Sequence, residues 1–214
     1  MTARPALSVI IPARPGEPAL PDLLAFLNGL DGIDETLVRS AGGRAASLNA
    51  GAADARGDLL WFLHADSRPG PDCVDRLRAA HARNPDALLY FDLEFARDAT
   101  PLTRLNQAGG NLRSRLLRLP FGDQGVACSR AVFDRIGPYK TDAAYGEDHL
   151  LVWAAHRHGV PVRPVGAALT TSARTYREQG WLRLTLRYQY RWIAQALPEL
   201  WAMLRDRGHG RRAS

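Results

Sequence analysis

The stretch "DLLWFLHADS", residues 58–67, joins a buried-strand pattern to polar residues at its end. Its first six residues are almost all apolar, which is typical of a strand buried on both faces of a sheet. Asp66 and Ser67 at the exit are ordinary turn residues. The same position also suits a carboxylate that holds a metal ion against a phosphate. The choice between these two interpretations depends on the segments around it.

Strands and helices alternate on both sides of this stretch. Apolar runs predict further strands at 7–12, 35–39, 87–95, 125–129 and 160–168, and helical periodicity predicts helices at 19–30, 44–56, 71–84, 101–118 and 147–158. This order predicts an α/β fold with a mostly parallel sheet and helices on both faces. In such sheets ligands bind at the carboxyl ends of strands, where Asp66 and the loop from Ala13 to Glu17 are expected.

Charge is distributed unevenly along the 214 residues. Residues 1–172 carry 19 basic and 19 acidic residues, whereas residues 173–214 carry nine arginines and three acids, which accounts for the net charge of +6. This pattern argues against a general nucleic-acid binder and predicts a neutral domain with a basic tail. No apolar run approaches the roughly 18 residues of a membrane-spanning helix. Without a signal-peptide pattern or a disulfide framework, we expect a cytoplasmic protein.

The tail, residues 173–214, is predicted to form amphipathic helices. Apolar residues that step by three or four form one stripe: Leu182, Leu186, Tyr190, Ile193, Leu197, Leu200 and Leu204. Arg183, Arg187 and Arg191 follow a neighbouring face, and Pro198 predicts a break or kink near Leu197. Two interpretations stay open. The helix packs on the domain, or it faces an anionic membrane surface, which would make the protein peripheral at the inner face of the membrane.

Four segments occur in one order along the chain. They are "LSVIIPA" (7–13), "GRAASLNAGAADARGDLLWFLHADS" (43–67), "FGDQGVACSRAVFDRIGPY" (121–139) and "YGEDHLLVWAAHRHG" (145–159). Together they resemble family 2 glycosyltransferases of the GT-A fold, and within these the bacterial rSAM/selenodomain-associated transferases, whose C-terminal portion is similar to the run from Thr170 to Arg174 followed by Gly180 and Trp181. The resemblance covers most of the chain. It implies a GT-A-like catalytic domain at 1–172 that moves a sugar from a nucleotide-diphosphate sugar to an acceptor hydroxyl, with inversion.

The resemblance gives Asp66 a role as a metal ligand. In this family the strand ends in an Asp-x-Asp motif whose second acid binds a divalent cation, Mg²⁺ or Mn²⁺, against the donor diphosphate. Asp66 matches that second acid, and His64 stands in place of the first. One carboxylate suffices, because Mg²⁺ keeps several waters and uses substrate phosphates as ligands. His64 is expected either to contact the donor or to be a structural histidine.

A second acidic motif supplies the predicted catalytic base. Glu147 and Asp148 match the family's Glu-Asp pair, which implies that Asp148 is the general base and that Glu147 lies on the acceptor side. Acids in the first turn of a helix are also common caps, so the residues alone leave both readings open. The loop "FGDQG" resembles the acceptor-side loop of the branch, where Asp123 and Gln124 would hold sugar or acceptor hydroxyls.

The donor side is less complete. Arg44 and Asn49 resemble the helix that lies near the nucleotide, and Ala13 and Glu17 would border it. Family members usually carry a further strand whose acidic loop reads the base of the donor. Relative to that pattern, about one strand–helix unit is absent before residues 35–39, which leaves Asp34 or Glu35 as candidate substitutes.

Two other functions compete with this interpretation. A nucleotidyltransferase also combines an α/β fold with a metal-binding carboxylate, but it usually has a glycine-rich loop with a lysine near its first strand. The loop from Ala13 to Pro18 has no lysine. A non-catalytic nucleotide-sugar-binding or membrane-docking module is the second competitor, and the basic tail favours it. The presence of both Asp66 and Asp148 favours the enzyme.

Overall fold

A single seven-stranded sheet organises the N-terminal part of the chain. The computed structural model describes residues 4–96 and 98–210. Its strands are β1 (Leu7–Pro12), β2 (Glu35–Arg39), β3 (Leu59–Phe62), β4 (Arg68–Pro69), β5 (Leu88–Phe95), β6 (Val126–Ser129) and β7 (Val162–Thr171). Its helices are α1 (Leu20–Asn28), α2 (Arg44–Asp54), α3 (Cys73–Arg83), α4 (Pro101–Leu117), α5 (Arg130–Ile136), α6 (Glu147–Arg157), α7 (Arg174–Gln179) and α8 (Trp181–Gly210).

The strands are ordered β2-β1-β3-β6-β5-β7-β4 across the sheet. β1 pairs in parallel with both β2 and β3, and β5 pairs in parallel with β7. β6 is antiparallel to β3 and β5, and β4 is antiparallel to β7, so five of the strands run in one direction. The predicted α/β fold with a mostly parallel sheet is therefore confirmed. The sequence did not reveal β4 and α5, because elements this short have no measurable periodicity.

Strand β1 lies inside the sheet and is covered on both faces. Val9 and Ile11 join a buried cluster with Leu23 of α1. Ile10 points to the other face, where α2 packs so closely that a Cβ on Gly51 would lie 2.4 Å from the Ile10 Cγ2. This close approach fixes α2, which begins at the predicted donor-side residues, against the centre of the sheet.

Strand β2 forms one border of the sheet, since no strand in the described part of the chain pairs with its outer side. The two acids before and at its start have structural partners. Asp34 Oδ2 accepts a hydrogen bond from the Leu7 backbone N–H at 2.7 Å, and Glu35 Oε1 accepts from the Ser8 hydroxyl at 2.5 Å. Both acids stabilise the amino ends of the strands. They therefore lie away from the carboxyl edge at which a donor base would be read.

The backbone groups of β5 that β6 leaves unpaired are hydrogen-bonded by side-chain amides. β6 pairs with β5 only at Leu89 and Tyr90, so the following backbone groups of β5 need other partners. Three amides supply them: Gln124 Nε2 donates to the Phe91 carbonyl, Asn111 bonds both the N–H and the carbonyl of Leu93, and Gln107 Oε1 accepts from the Phe95 N–H. α4 is thus attached to the sheet largely through polar side chains.

The chain divides into two compact units between Ala173 and Arg174. Within the second unit, α7 and α8 are connected at Gly180, and the rings of Tyr176 and Tyr188 meet edge to face. α8 continues through Pro198, so a break there is wrong, while the kink stays a prediction. Proline's fixed φ is compatible with a helix, although proline removes one backbone hydrogen bond. The Leu204 side chain and residues 211–214 lie outside what the structure describes. None of the described helices is both long and apolar enough to cross a bilayer.

Candidate functional site

Charged side chains from three separate segments meet beyond the carboxyl end of β3. His64 Nε2, in the turn after β3, lies 3.5 Å from Asp148 Oδ2 at the start of α6. Arg44, the first residue of α2, places one guanidinium nitrogen 3.7 Å from the same oxygen and its Nε 3.3 Å from Glu147 Oε1. The structure thus brings together four residues that the sequence placed in the site.

The carboxylate of Asp148 is the buried centre of this cluster, with its side chain only 8% exposed. Burial by itself would raise its pKa, but the adjacent His64 imidazole and its charge, together with the charge of Arg44, hold the pKa of Asp148 below its ordinary value. Asp148 also occupies the first turn of α6, where the helix dipole favours an anion. The carboxylate therefore stays ionised.

Gly122 lets the loop before β6 reach this carboxylate. The loop forms a short 3-10 turn at Gly122–Gln124. A Cβ on Gly122 would lie 1.9 Å from Asp148 Oδ2, far inside van der Waals contact. The backbone of this glycine is not in the left-handed region, so space and not conformation requires a residue without a side chain. Sequence analysis missed this role, because only the three-dimensional contact reveals it.

Asp123 and Gln124 in the same turn have different environments. The Asp123 carboxyl is buried, and its Oδ1 has no hydrogen-bond partner among the described residues. Burial raises the pKa of Asp123, although His64 and Arg113 oppose the shift. Gln124 is fully occupied with structure, because its side chain bonds Ser114, the Phe121 N–H and the Phe91 carbonyl. The structure therefore gives Gln124 a supporting role, whereas Asp123 keeps one buried oxygen without a hydrogen-bond partner among the described residues.

Asp66 lies at the exposed rim of the cluster, in a turn closed by the Ser67 N–H and the His64 carbonyl. Burial would lower the pKa of His64, but its contact with Asp148 and the charges of Asp148 and Asp66 raise it above its ordinary value. In the described part of the chain no group of three or more His, Cys, Asp or Glu residues is arranged to hold a metal ion. A divalent cation at Asp66 would need phosphate oxygens and waters as its other ligands, which suits Mg²⁺.

The remaining donor-side residues, Asn49, Ala13 and Glu17, all make structural contacts. The Asn49 amide accepts from the Tyr139 N–H at 2.9 Å and donates to its carbonyl at 2.8 Å, so Asn49 joins α2 to the segment after α5. The Ala13 N–H bonds the Arg39 carbonyl, and Glu17 Oε1 accepts from the Ala19 N–H. These contacts hold the loops in place, and the nucleotide contacts of Asn49, Ala13 and Glu17 stay predictions.

Tyr139 is a second residue that the sequence did not single out. Its side chain is buried, and its hydroxyl has no hydrogen-bond partner among the described residues. Burial first, and then the negative charge of Asp148, raise the pKa of Tyr139 well above its ordinary value. Its signal in the sequence is weak, because a tyrosine after Gly-Pro is also an ordinary core residue.

Part of the chain is similar in sequence to known glycosyltransferases. The family model described as glycosyl transferase family 2 matches residues 35–140. An uncharacterized glycosyltransferase of Mycobacterium tuberculosis (strain H37Rv) is 32% identical over 142 residues, which cover 63% of this chain and 52% of that protein. The chain thus spans about half the length of the curated relatives it matches.

Solved structures show the same fold at low sequence identity. TarS of S. aureus with UDP-GlcNAc is 14% identical at a TM-score of 0.59, covering 78% of this chain and 58% of that one. The mannosyltransferase PcManGT of Pyrobaculum calidifontis with GDP-Man and Mn²⁺ is 14% identical at 0.56, covering 79% and 57%. The predicted GT-A-like fold is confirmed, while the narrower bacterial branch stays a prediction. Residues 35–140, about half of the chain, thus match glycosyl transferase family 2.

Proposed function

We propose that the chain is a metal-assisted, inverting glycosyltransferase that moves a sugar from a nucleotide-diphosphate sugar to an acceptor hydroxyl. The carrying observation is the buried Asp148 carboxylate, which lies beside the cations of Arg44 and His64, near Asp66 at the carboxyl edge of the sheet. This arrangement supplies a proton acceptor, cations for a diphosphate and a carboxylate for a metal ion in one place. The complexes of TarS with UDP-GlcNAc and of PcManGT with GDP-Man and Mn²⁺ support this donor class.

The donor half of the proposed site rests on Arg44 and Asp66. Arg44 has a side chain that is 53% exposed although it pairs with two acids, so its guanidinium can also bind phosphate oxygens. Asp66 would hold the divalent cation, which when bound neutralises charge on the departing diphosphate. His64 keeps the first position of the motif cationic where the family has an acid, and this favours contact with the diphosphate.

The acceptor half rests on Asp148. Its ionised carboxylate accepts the proton of the acceptor hydroxyl, whose oxygen then attacks the anomeric carbon while the bond from that carbon to the diphosphate oxygen breaks. Attack from the opposite face inverts the anomeric centre and requires no covalent enzyme intermediate. Asp123, with its buried free oxygen, would accept a hydrogen bond from a second acceptor hydroxyl, because an unpartnered buried acceptor is costly. Glu147 orients Arg44.

A second proposal concerns the tail. The α8 stripe is solvent-exposed at Leu182, Leu186 and Leu197, and arginines follow a neighbouring face. Apolar residues beside arginines favour the membrane-facing interpretation, with an anionic lipid surface as the partner. The protein would then be cytoplasmic and peripheral at the inner face of the membrane.

The first prediction tests the metal site. Asp66→Ala should abolish the Mn²⁺-dependent part of nucleotide-diphosphate binding, because it removes the only acid of the strand-end motif. Thermal stability should change little, since Asp66 is exposed and lies in a turn. Calorimetric titration of UDP and GDP with and without Mn²⁺ measures the effect, and Asp86→Ala is the control at another exposed acid. Metal dependence that survives in Asp66→Ala contradicts the assignment.

The second prediction separates an enzyme from a binding module. Asp148→Asn keeps the shape of the side chain but removes the proton acceptor, so sugar transfer should fall by about 10²–10⁴. Donor affinity should change much less, because Asp66 and Arg44 remain. Mass spectrometry of products from a panel of nucleotide sugars and acceptors measures transfer, with Asp134→Asn, at an exposed acid of α5, as the control. If Asp148→Asn transfers sugar as fast as the native chain, Asp148 is only a helix cap.

The third prediction tests the contact between Gly122 and Asp148. Gly122→Ala places a methyl group where the carboxylate oxygen lies, so Asp148 must move. A displacement of about 1 Å can cost about 10²-fold in rate, and we expect a loss of that size with donor affinity retained. The control is Gly110→Ala, which meets no atom within 4 Å in α4. Equal transfer rates in the two variants would show that the close contact has no catalytic consequence.

The fourth prediction tests the tail. Replacing Leu182, Leu186 and Leu197 together by glutamine should weaken binding to vesicles that contain phosphatidylglycerol. Binding of the native chain should also fall as salt is added, because charge attraction at a surface is screened beyond about 10 Å at 0.1 M. Vesicle co-sedimentation measures both effects. Binding that is indifferent to lipid charge, or to the three substitutions, favours a helix that packs on protein.

A further inference from the structure

Helix α4 has its polar residues on the inside and its leucines on the outside. Thr103 and Ser114 are buried, and the amides of Gln107 and Asn111 bond the backbone of β5. A surface helix of a globular protein normally shows the opposite arrangement, with an apolar face toward the core. The polar face of α4 is therefore explained by the unpaired backbone of β5, whereas its leucines are exposed.

The outward face forms one continuous stripe. Leu105, Leu112 and Leu116 are 62%, 58% and 70% exposed. At about 100° per residue these three leucines fall within an arc of about 40° on the helix surface. Ala108 and Gly109, both exposed, fill the space between them. Contiguous exposed apolar surface of this kind marks a site of interaction.

The charge of α4 indicates which kind of partner binds the leucine stripe. Residues 101–118 contain four arginines and no acidic residue. Arg104 is exposed and lies at about 100° from Leu105 around the helix, and Arg115, although paired with Asp92, keeps a side chain that is 60% exposed. A second copy of the chain would bring arginines against arginines if the two stripes met. An anionic lipid surface accepts leucines into its apolar layer and attracts the flanking arginines.

We propose that α4 docks onto the surface of an anionic lipid bilayer through Leu105, Leu112 and Leu116. This docking does not depend on the proposed transfer reaction. It does have a consequence for that reaction, because Ser114 of α4 donates its hydroxyl hydrogen to Gln124 Oε1 at 2.7 Å, inside the loop that touches Asp148. The acceptor-side loop is thereby attached to the helix that would lie on the lipid, which suits an acceptor presented at a membrane surface.

The test uses the full chain with its native tail. Leu105, Leu112 and Leu116 are replaced together by glutamine, which keeps the charge and a similar helix propensity. The matched control replaces the same leucines by methionine, which keeps the apolar surface. In co-sedimentation with phosphatidylglycerol vesicles, the partition coefficient of the glutamine variant should fall at least about tenfold, since burial of one leucine side chain is worth more than that factor. The methionine variant should bind like the native chain.

A second measurement does not depend on how the triple variant folds. Leu112→Cys carries an environment-sensitive fluorophore, and the two native cysteines, Cys73 and Cys128, are buried. Its emission should shift to the blue with phosphatidylglycerol vesicles and stay constant with phosphatidylcholine vesicles. The same label on Ala82→Cys, at an exposed position of α3, should not respond.

Three results would overturn the proposal. The first is unchanged vesicle binding of the glutamine variant, which would assign the binding to another surface such as α8. The second is a label at position 112 that ignores anionic lipid. The third is a native chain that does not bind vesicles but forms dimers in light scattering, with the glutamine variant monomeric. The stripe would then bind a second copy of the chain.

Discussion

A buried negative charge governs the arrangement of the carboxyl edge of the sheet. Removing a carboxylate from water costs several kcal/mol unless cations and hydrogen bonds compensate for it. Asp148 obtains this compensation from His64 and Arg44, which arrive on different segments of the chain. The turn after β3, the start of α2 and the start of α6 must therefore all be in place before the carboxylate is stable. Gly122 completes the enclosure, since any side chain there would occupy the position of the carboxylate.

The fold was predictable from the sequence because buried strands and amphipathic helices leave regular patterns. The alternation of strands and helices predicted the type of sheet, and the strand at residues 58–63 predicted the edge where the charged cluster is found. The pairing of His64 with Asp148 was not predictable, because neither residue shows in sequence which partner will neutralise it. Asn49 and Gln124 show the same limit. Their residue types suit ligand binding, but backbone groups of other segments occupy them.

Periodicity alone also cannot show which way a helix faces. The leucines of α4 would suit a buried stripe, and only the unpaired backbone of β5 explains why the polar face is turned inward instead. Satisfying buried N–H and carbonyl groups is nearly obligatory, whereas exposing a few leucines is tolerated. The direction of α4 thus follows from the short pairing between β5 and β6, a property of tertiary structure that no local pattern records.

The two hydrogen bonds between Asn49 and Tyr139 have a consequence for how the molecule folds. They join two residues that are 90 positions apart in the chain, and closing a loop of that length is entropically costly and slow. Asp148 comes after both residues in the sequence, so its carboxylate is added to the chain only after most strands of the sheet have been synthesised. During synthesis the ribosome would release the parts of the site in the order Arg44, His64, Gly122 and Asp148. A nascent chain therefore contains all of β1–β3 long before Asp148 is added, so the charged cluster is completed only when most of the sheet has been synthesised.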